Sequence, residues 1–533
     1  MKNIENLNLG FADAENYLQR GYKELFNRIF IKNRFLDKIL LPSTYFIIGE
    51  KGTGKTAYAV YLANNDYKNT NSTLKFIRET DYQKFIKLKT KNQLDLSDYS
   101  NIWAVIILLL LAQNITEKEL DTSIFFRNTK LKKLIDAIEA YYHNAFSPEI
   151  VNVLSFIENS EVAASMISKY AEIKGKSGTT NSYSESRFQI NMIYILRQFK
   201  DAISSLKLAK NHTLYIDGID IRPGVIPYPD YLECIKGLAD AVWNINRDFF
   251  SNIRDSKGRL KVVLLLRADI FNSLSLQNLN NKLHDNSVYL DWRTTYADYM
   301  TSDLYKLSDR ILRVQQDEVA KDDSNNVDFY WNAYLPWTTP STNIALRQQD
   351  TSFINLLRIS YSRPRDILSI LQILKDIACE RNQASLTTFL FEIFSSEKFK
   401  NDYSEYLMGG IKDQLSFYYN INEYEDFLKF FTFLNGSSRF SYNEYENVYS
   451  KFEKYILKSS KAVPKFAENK DVFLQFLYDN NILCYKDERE SKLYFRWCYR
   501  ERGPSNISPK VLLNATLYEI HYGLWKALNV GEK

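Results

Sequence analysis

Cysteine is scarce in this 533-residue chain. Its four cysteines, Cys234, Cys379, Cys484 and Cys498, include no CxxC pair. That excludes a zinc ribbon, and so few thiols make a disulfide-stapled scaffold untenable at this size. Histidine is as sparse: His143, His212, His284 and His521 stand far apart, and no histidine-based metal centre is expected. Glycine (17) and proline (11) are too few for a collagen-like or low-complexity chain. Long hydrophobic runs are missing too. The longest runs from Ile102 to Ala112, bounded by Asn101 and Gln113, whereas a spanning helix needs about 20 residues. It is expected to be a helix buried on all sides, and no membrane partner is expected. The first residues, Met1 to Glu5, carry no apolar signal core, so a cytoplasmic setting is expected. An excess of one charge is lacking as well: a net +5 is too weak to argue for nucleic acid.

What remains is an ordinary globular composition, 45% hydrophobic and 25% charged. At roughly 150 residues per domain the length predicts three to four domains. Residues 1–40 show helical spacing, ended by Pro42. Tyr45 to Ile48 reads as an apolar strand, and Thr73 to Arg78 as another. A helical stretch over about 85–210 follows, with a polar break from Lys174 to Ser186. Strand candidates then recur at Thr213–Ile216, Lys261–Leu266 and Ser287–Leu290 with helical patterns between them, which predicts an α/β domain with a largely parallel sheet. Residues 301–400 read as helices around a polar and aromatic segment, Asp322 to Thr342. Residues 401–533 read as helices plus one hairpin, with arms Ile482–Lys486 and Lys492–Trp497.

Gly49-Glu50-Lys51-Gly52-Thr53-Gly54-Lys55-Thr56 fits GxxxxGK[ST] at every fixed position, with a strand before it and a helix from Ala57 after it. Phosphate binding needs these residue types. Gly49, Gly52 and Gly54 let the loop curl and bring backbone N–H groups, including those of Thr53 and Ala57, close to the anion. The helix N-terminus adds positive potential. Lys55 neutralises β/γ-phosphate oxygens, and Thr56 offers a hydroxyl to Mg²⁺. Such a loop needs a second strand that delivers carboxylates. Leu214-Tyr215-Ile216-Asp217 ends in the expected Mg²⁺ partner, Asp217. Asp220, three residues on, is the candidate acid that orients or activates the attacking water. Guanidinium groups stabilise a phosphoryl group in transfer. Arg267 at a strand end and Arg365 at a helix start are placed for that, with Arg310 and Arg313 as candidates for a finger offered to a second copy.

These residues resemble the AAA+ and STAND (signal-transduction ATPase) branch of P-loop NTPases. Asp217-Gly218-Ile219-Asp220 is similar to the acidic strand motif of NACHT-type members, although Ile221 stands where a further acid is common. Val263 to Arg267 is similar to a sensor 1 strand, and Ser362-Arg363-Pro364-Arg365-Asp366 resembles the sensor 2 motif of a lid. The Gly10–Glu15, Arg267–Phe271 and Asp291–Arg293 segments, with the P-loop, resemble a group of bacterial P-loop ATPases. The resemblance implies ATP and Mg²⁺ as cofactors. It implies a core in two halves (1–84 and 211–300), a helical insertion (85–210), a helical lid (301–400) and a C-terminal winged-helix-like domain (401–533). It also implies a regulatory ATPase switch, in anti-phage defence for some relatives, acting through self-association or a partner protein.

The alternatives are a DNA-remodelling or loader ATPase and a small-molecule or polynucleotide kinase. In the expected winged helix, Asp471, Gln475 and Asp479 would lie on the exposed face and repel phosphate, which speaks against DNA. The basic run of Lys451, Lys454, Lys458, Lys461 and Lys465, with Lys492, Arg496 and Arg500, is the only contrary sign there. Phe329, Tyr330, Trp331, Tyr334 and Trp337 are expected in a core or interface.

Overall fold

The computed structural model describes residues 1–77, 96–115, 120–121, 132–134, 136–137, 185–222, 226–276, 282, 284–316, 329–340, 349–459, 463–489, 492–504 and 506–531. Most of the expected 85–210 insertion, including its polar break up to residue 184, lies outside them, as do Lys461 and much of 322–342. The first half of the chain carries α1 (Lys23–Ile29), α2 (Arg34–Leu40), β1 (Phe46–Gly49), α3 (Lys55–Asn64), β2 (Thr70–Phe76), α4 (Leu96–Gln113), α5 (Glu185–Ser204), β3 (Asn211–Asp217), α6 (Tyr228–Asn244), β4 (Leu260–Arg267), α7 (Ala268–Ser273) and β5 (Ser287–Tyr289). The second half carries α8 (Asp303–Arg313), β6 (Thr338–Pro340), β7 (Gln349–Thr351), α9 (Ser352–Ile359), α10 (Pro364–Glu380), α11 (Glu397–Leu415), α12 (Ile421–Thr432), β8 (Arg439–Phe440), α13 (Tyr442–Ser459), α14 (Lys470–Asp479), β9 (Leu483–Arg489), β10 (Lys492–Trp497) and β11 (Tyr518–Ile520), with short turns between them. Two compact units result: a sheet unit of residues 37–48 and 55–288, and a second unit of residues 1–36, 49–54 and 289–533.

The sheet unit is α/β. Five parallel strands lie in the order β2-β3-β4-β1-β5. Strands covered by helices on both faces read as unbroken apolar runs, and β1 and β4 are buried over their whole length. β3 pairs β2 with Phe76 opposite Asp217, and pairs β4 with Leu214 opposite Val262. Parallel pairing puts the C-terminal ends of β3 and β4 on one edge, the edge where open α/β sheets bind ligands. Beyond α6 the chain makes one wider turn, Ile245–Phe249, where Asn246 imitates a strand. Its Nδ2 donates to Val262 O at 2.8 Å, and its Oδ1 accepts from Val262 N at 3.0 Å.

Helix α4 contains the long apolar run, and every residue from Ile102 to Ala112 is buried. It packs on α5 and α6. Gly237 of α6 makes the close approach possible, since a Cβ there would lie 2.5 Å from Tyr99 Cβ. The Trp103 indole donates to Cys234 O at 3.2 Å. No described helix is long and apolar enough to cross a membrane. Lys261 of β4 is buried, and its ammonium donates to Ile39 O (2.6 Å) and Leu41 O (3.0 Å), capping the end of α2. Burial pushes it down to about 7.

In the second unit the N-terminal segment departs from the expected continuous helix. Three tight turns precede α1, with Gly10 at φ +80° where helix is impossible. The segment is tied down by Lys375 Nζ to Leu7 O (2.6 Å) and Tyr334 Oη to Lys2 O (2.9 Å). Helix α8 starts at the Ser302 cap and is buried on nearly all sides. Arg310 and Arg313 are 3% and 0% exposed, and Arg310 Nε donates to Arg28 O at 2.6 Å. Neither can serve as a finger for a second copy, because both guanidinium groups lie inside their own unit. Trp331 and Tyr334 are core residues as expected, while Phe329 is exposed.

The region after residue 400 holds more strand than expected. β9 and β10 are the two arms of the hairpin, but β8 and β11 join them in a four-stranded sheet of order β10-β9-β11-β8. Helix α12 opens with a capping box, Asn420 with Glu423. The helices enclose an aromatic core in which Phe473 meets Phe430 at 4.7 Å and Phe452 at 4.9 Å. On α14 only Asp471 of the three expected surface residues is exposed, and Gln475 and Asp479 are half-buried. Gln475 donates to Pro509 O at 3.0 Å, and Asp479 lies 3.9 Å from Arg502, so the segment after β10 covers that face.

Candidate functional site

The loop Gly49–Gly54 belongs to the second unit, which binds its backbone carbonyls one after another. Glu50 O accepts from Thr53 Oγ1 at 2.8 Å. Lys51 O accepts from Arg363 Nη1 at 2.8 Å. Gly52 O accepts from the Arg365 N–H at 3.3 Å. Thr53 O accepts from the Trp292 indole at 2.8 Å. In a trans peptide the N–H points opposite to the C=O. Tying the Lys51 and Thr53 carbonyls to Arg363 and Trp292 therefore turns the N–H groups of Gly52 and Gly54 the other way, as an anion cradle requires, while the Thr53 N–H, an expected phosphate donor, turns to Glu50 O at 3.3 Å. Gly52 and Gly54 both sit at φ +90°, and a Cβ on Gly52 would lie 3.2 Å from Arg365 Cβ.

Side chains tighten the same loop. Glu50 pairs with Arg502, which is 7% exposed, and Lys51 Nζ pairs with Asp413 at 2.6 Å. Arg363 is held by buried Asp366 at 2.8 Å and lies over the Tyr361 ring. The Asp366 carboxylate outweighs the desolvation of the guanidinium and raises Arg363 above its ordinary value. Arg365, the expected phosphate-facing residue, instead directs Nε to Ala12 O at 3.1 Å.

In the sheet unit α3 begins at Lys55, which is buried, and continues through Thr56 and Ala57. β3 ends at Asp217, 8% exposed. Its Oδ2 accepts from Thr56 Oγ1 at 2.6 Å, and its Oδ1 accepts from the Gly218 N–H at 2.8 Å. Burial first, and the charge of Asp220 second, push the Asp217 carboxyl up to about 6. The two hydrogen bonds and Lys55 pull the other way. Thr56 and Asp217 are thus hydrogen-bonded, with Asp220 near enough for its charge to act on Asp217. Arg267 is not directed as expected: 2% exposed, it makes a two-point pair with Asp269, with Nε to Oδ1 at 3.0 Å.

Among the described residues no group of three or more His, Cys, Asp or Glu could hold a metal ion. A buried carboxylate beside a hydroxyl is still a donor set suited to Mg²⁺, which takes one or two protein oxygens and keeps its water.

Sequence reasoning missed Arg363, Trp292 and Arg502. Arg363 lies two places from Arg365 in a segment already singled out, Trp292 lies within the Asp291–Arg293 segment that carried no chosen residue, and nothing in the spacing of Arg502 marks it. No protein-family model matches the chain, and no curated protein matches it.

Proposed function

We propose that the chain binds ATP with Mg²⁺ at Gly49–Thr56 and hydrolyses it slowly, as a switch of the AAA+/STAND type whose nucleotide state controls association with itself or with a partner protein. The observation that carries this is the run of carbonyls from Lys51 to Thr53 tied by Arg363, Arg365 and Trp292, which supports a loop shaped to receive an anion. Backbone N–H groups of the loop donate to phosphate oxygens, and Lys55 neutralises the β- and γ-phosphates. Thr56 and Asp217 are the residues to hold Mg²⁺, which when bound supplies positive charge against the phosphate oxygens. Asp220 orients a water for attack on the γ-phosphorus and takes its proton as the bond to ADP breaks. The Arg267 guanidinium is engaged by Asp269 and not set aside for the transferring group, which supports slow turnover.

The test is ATP turnover by the full chain with and without DNA, with Lys55→Ala and Asp220→Asn as controls and mass measured in each nucleotide state. Slow turnover indifferent to DNA, with a nucleotide-dependent mass, is expected. DNA-stimulated turnover lost in both variants would favour the remodelling reading. Tight binding without turnover would remove the role given to Asp220.

A further inference from the structure

Asp220 lies just beyond the end of β3, in a stretch with little packing of its own: Ile219 before it is buried, but Ile221 after it is 58% exposed. Something else must fix the direction of that carboxylate. A single hydroxyl reaches both sides of it. Tyr231 Oη lies 2.9 Å from Ile219 O and 3.0 Å from Ile221 O, so its single O–H is shared between the carbonyls on either side of Asp220. The Tyr231 ring is wholly buried. It stands in the first turn of α6, a helix itself held by the Trp103 bond to Cys234 O and by the close fit of Tyr99 against Gly237.

We propose that Tyr231 is the positioning residue for Asp220, fixing the three-residue stretch Ile219–Ile221 so that the carboxylate meets the attacking water. This rests on the hydrolytic role given to Asp220 above. A hydroxyl that closes residues 219–221 onto one point restrains the Asp220 and Ile221 torsions, and those set the Asp220 Cα–Cβ direction. A reacting group displaced by about 1 Å loses up to about a hundredfold in rate. Mounting the clamp on a packed helix keeps that displacement small. Tyr231 touches neither nucleotide nor water in this scheme, so its effect belongs to the rate and not to binding.

Tyr231→Phe keeps the ring and deletes only the hydroxyl. Steady-state turnover and nucleotide titration of the full chain are compared for the wild type, Tyr231→Phe, Asp220→Asn and the double variant. The expected result is a kcat at least tenfold lower in Tyr231→Phe with nucleotide affinity within twofold of wild type. The double variant should be no slower than Asp220→Asn alone, because placement is irrelevant once the carboxylate is gone. Wild-type kcat in Tyr231→Phe, with Asp220→Asn inactive, overturns the proposal and leaves the hydrolytic reading intact. A rate loss that multiplies with that of Asp220→Asn overturns it too, by showing that the hydroxyl acts elsewhere. Wild-type turnover in Asp220→Asn sinks the parent reading and this one with it. Should Tyr231→Phe not fold, Asp220→Glu asks the same question: the carboxylate shifts by one methylene on an unaltered clamp, and undiminished kcat would show that placement does not matter.

Discussion

Replacing Gly218 by alanine should damage the sheet unit far more than the loss of one glycine suggests. Gly218 sits at φ +90°, and a Cβ there would lie 2.7 Å from Ile77 O and 3.3 Å from Ile77 N. Both are backbone atoms, and Ile77 N is committed to Asp217 O at 2.9 Å, so the neighbour cannot retreat without breaking that bond. Forcing an L-residue to positive φ costs about 1–2 kcal/mol, and overpacking against fixed atoms about 1–3 kcal/mol more. A loss of about 2–5 kcal/mol follows, with the Gly218 N–H drawn away from Asp217 Oδ1. Urea unfolding followed by far-UV circular dichroism measures it, and nucleotide titration of the surviving protein should show weakened binding. Gly410→Ala supplies the contrast, because Gly410 lies within α11 and a Cβ there meets nothing within 4 Å. That change should stabilise by about 0.5–1 kcal/mol. If Gly218→Ala unfolds within about 0.5 kcal/mol of wild type, or if Gly410→Ala proves the worse of the two, the steric argument is wrong.

Trp292→Phe deletes the donor to Thr53 O. At about 1 kcal/mol for a hydrogen bond it should weaken nucleotide binding by up to about fivefold, as read by calorimetric titration, and because the indole is buried it should also lower unfolding stability by about 1–3 kcal/mol. Arg502→Met removes the buried guanidinium that pairs with Glu50 and donates to Asp479 O at 2.9 Å, and should cost about 3–5 kcal/mol in denaturant unfolding. Adding Glu50→Gln should recover much of that. Lys261 predicts a pH dependence: its folded value near 7 lies below the unfolded one, so the unfolded chain holds the extra proton between about pH 7 and 10. Its contribution to stability therefore rises with pH across that window and is lost as pH falls through about 7. Lys261→Met should flatten the difference between melts at pH 7 and pH 9.5.

β1, β3 and β4 were legible because they carry apolar runs buried almost throughout, and Leu214–Asp217 and Val263–Arg267 could hardly be anything else. β8 and β11 were not. They are two and three residues long, and Phe440 finds its partner Tyr518 across α13, α14, β9 and β10. Local pattern carries no trace of such a pairing. The N-terminal turns defeated helical periodicity because tertiary bonds to Lys2 and Leu7 decide that backbone. At the site, GxxxxGKT and the acids Asp217 and Asp220 were readable because the motif encodes the groups that meet phosphate. It does not encode what holds the loop from behind. Arg365 was therefore chosen for its charge, while the backbone N–H of Arg365, the side chain of Arg363 and the indole of Trp292 grip the loop carbonyls. Arg310 and Arg313 misled for a related reason: charge on a helix suggests a wet face, and α8 has almost none.

The apolar helix α4 also sets a condition on how this protein is made. Its partners α5 and α6 both come later in the chain. At about 5–20 residues per second, the ribosome must add about 130 residues after α4 before α6 is complete, which takes on the order of 7–25 s. Through that interval the eleven-residue run Ile102–Ala112 has yet to meet the α6 surface that buries it, and an exposed segment of this kind is what chaperones bind and what seeds aggregation. Slower synthesis or higher temperature should therefore lower the yield of soluble protein before it changes the stability of the protein once folded.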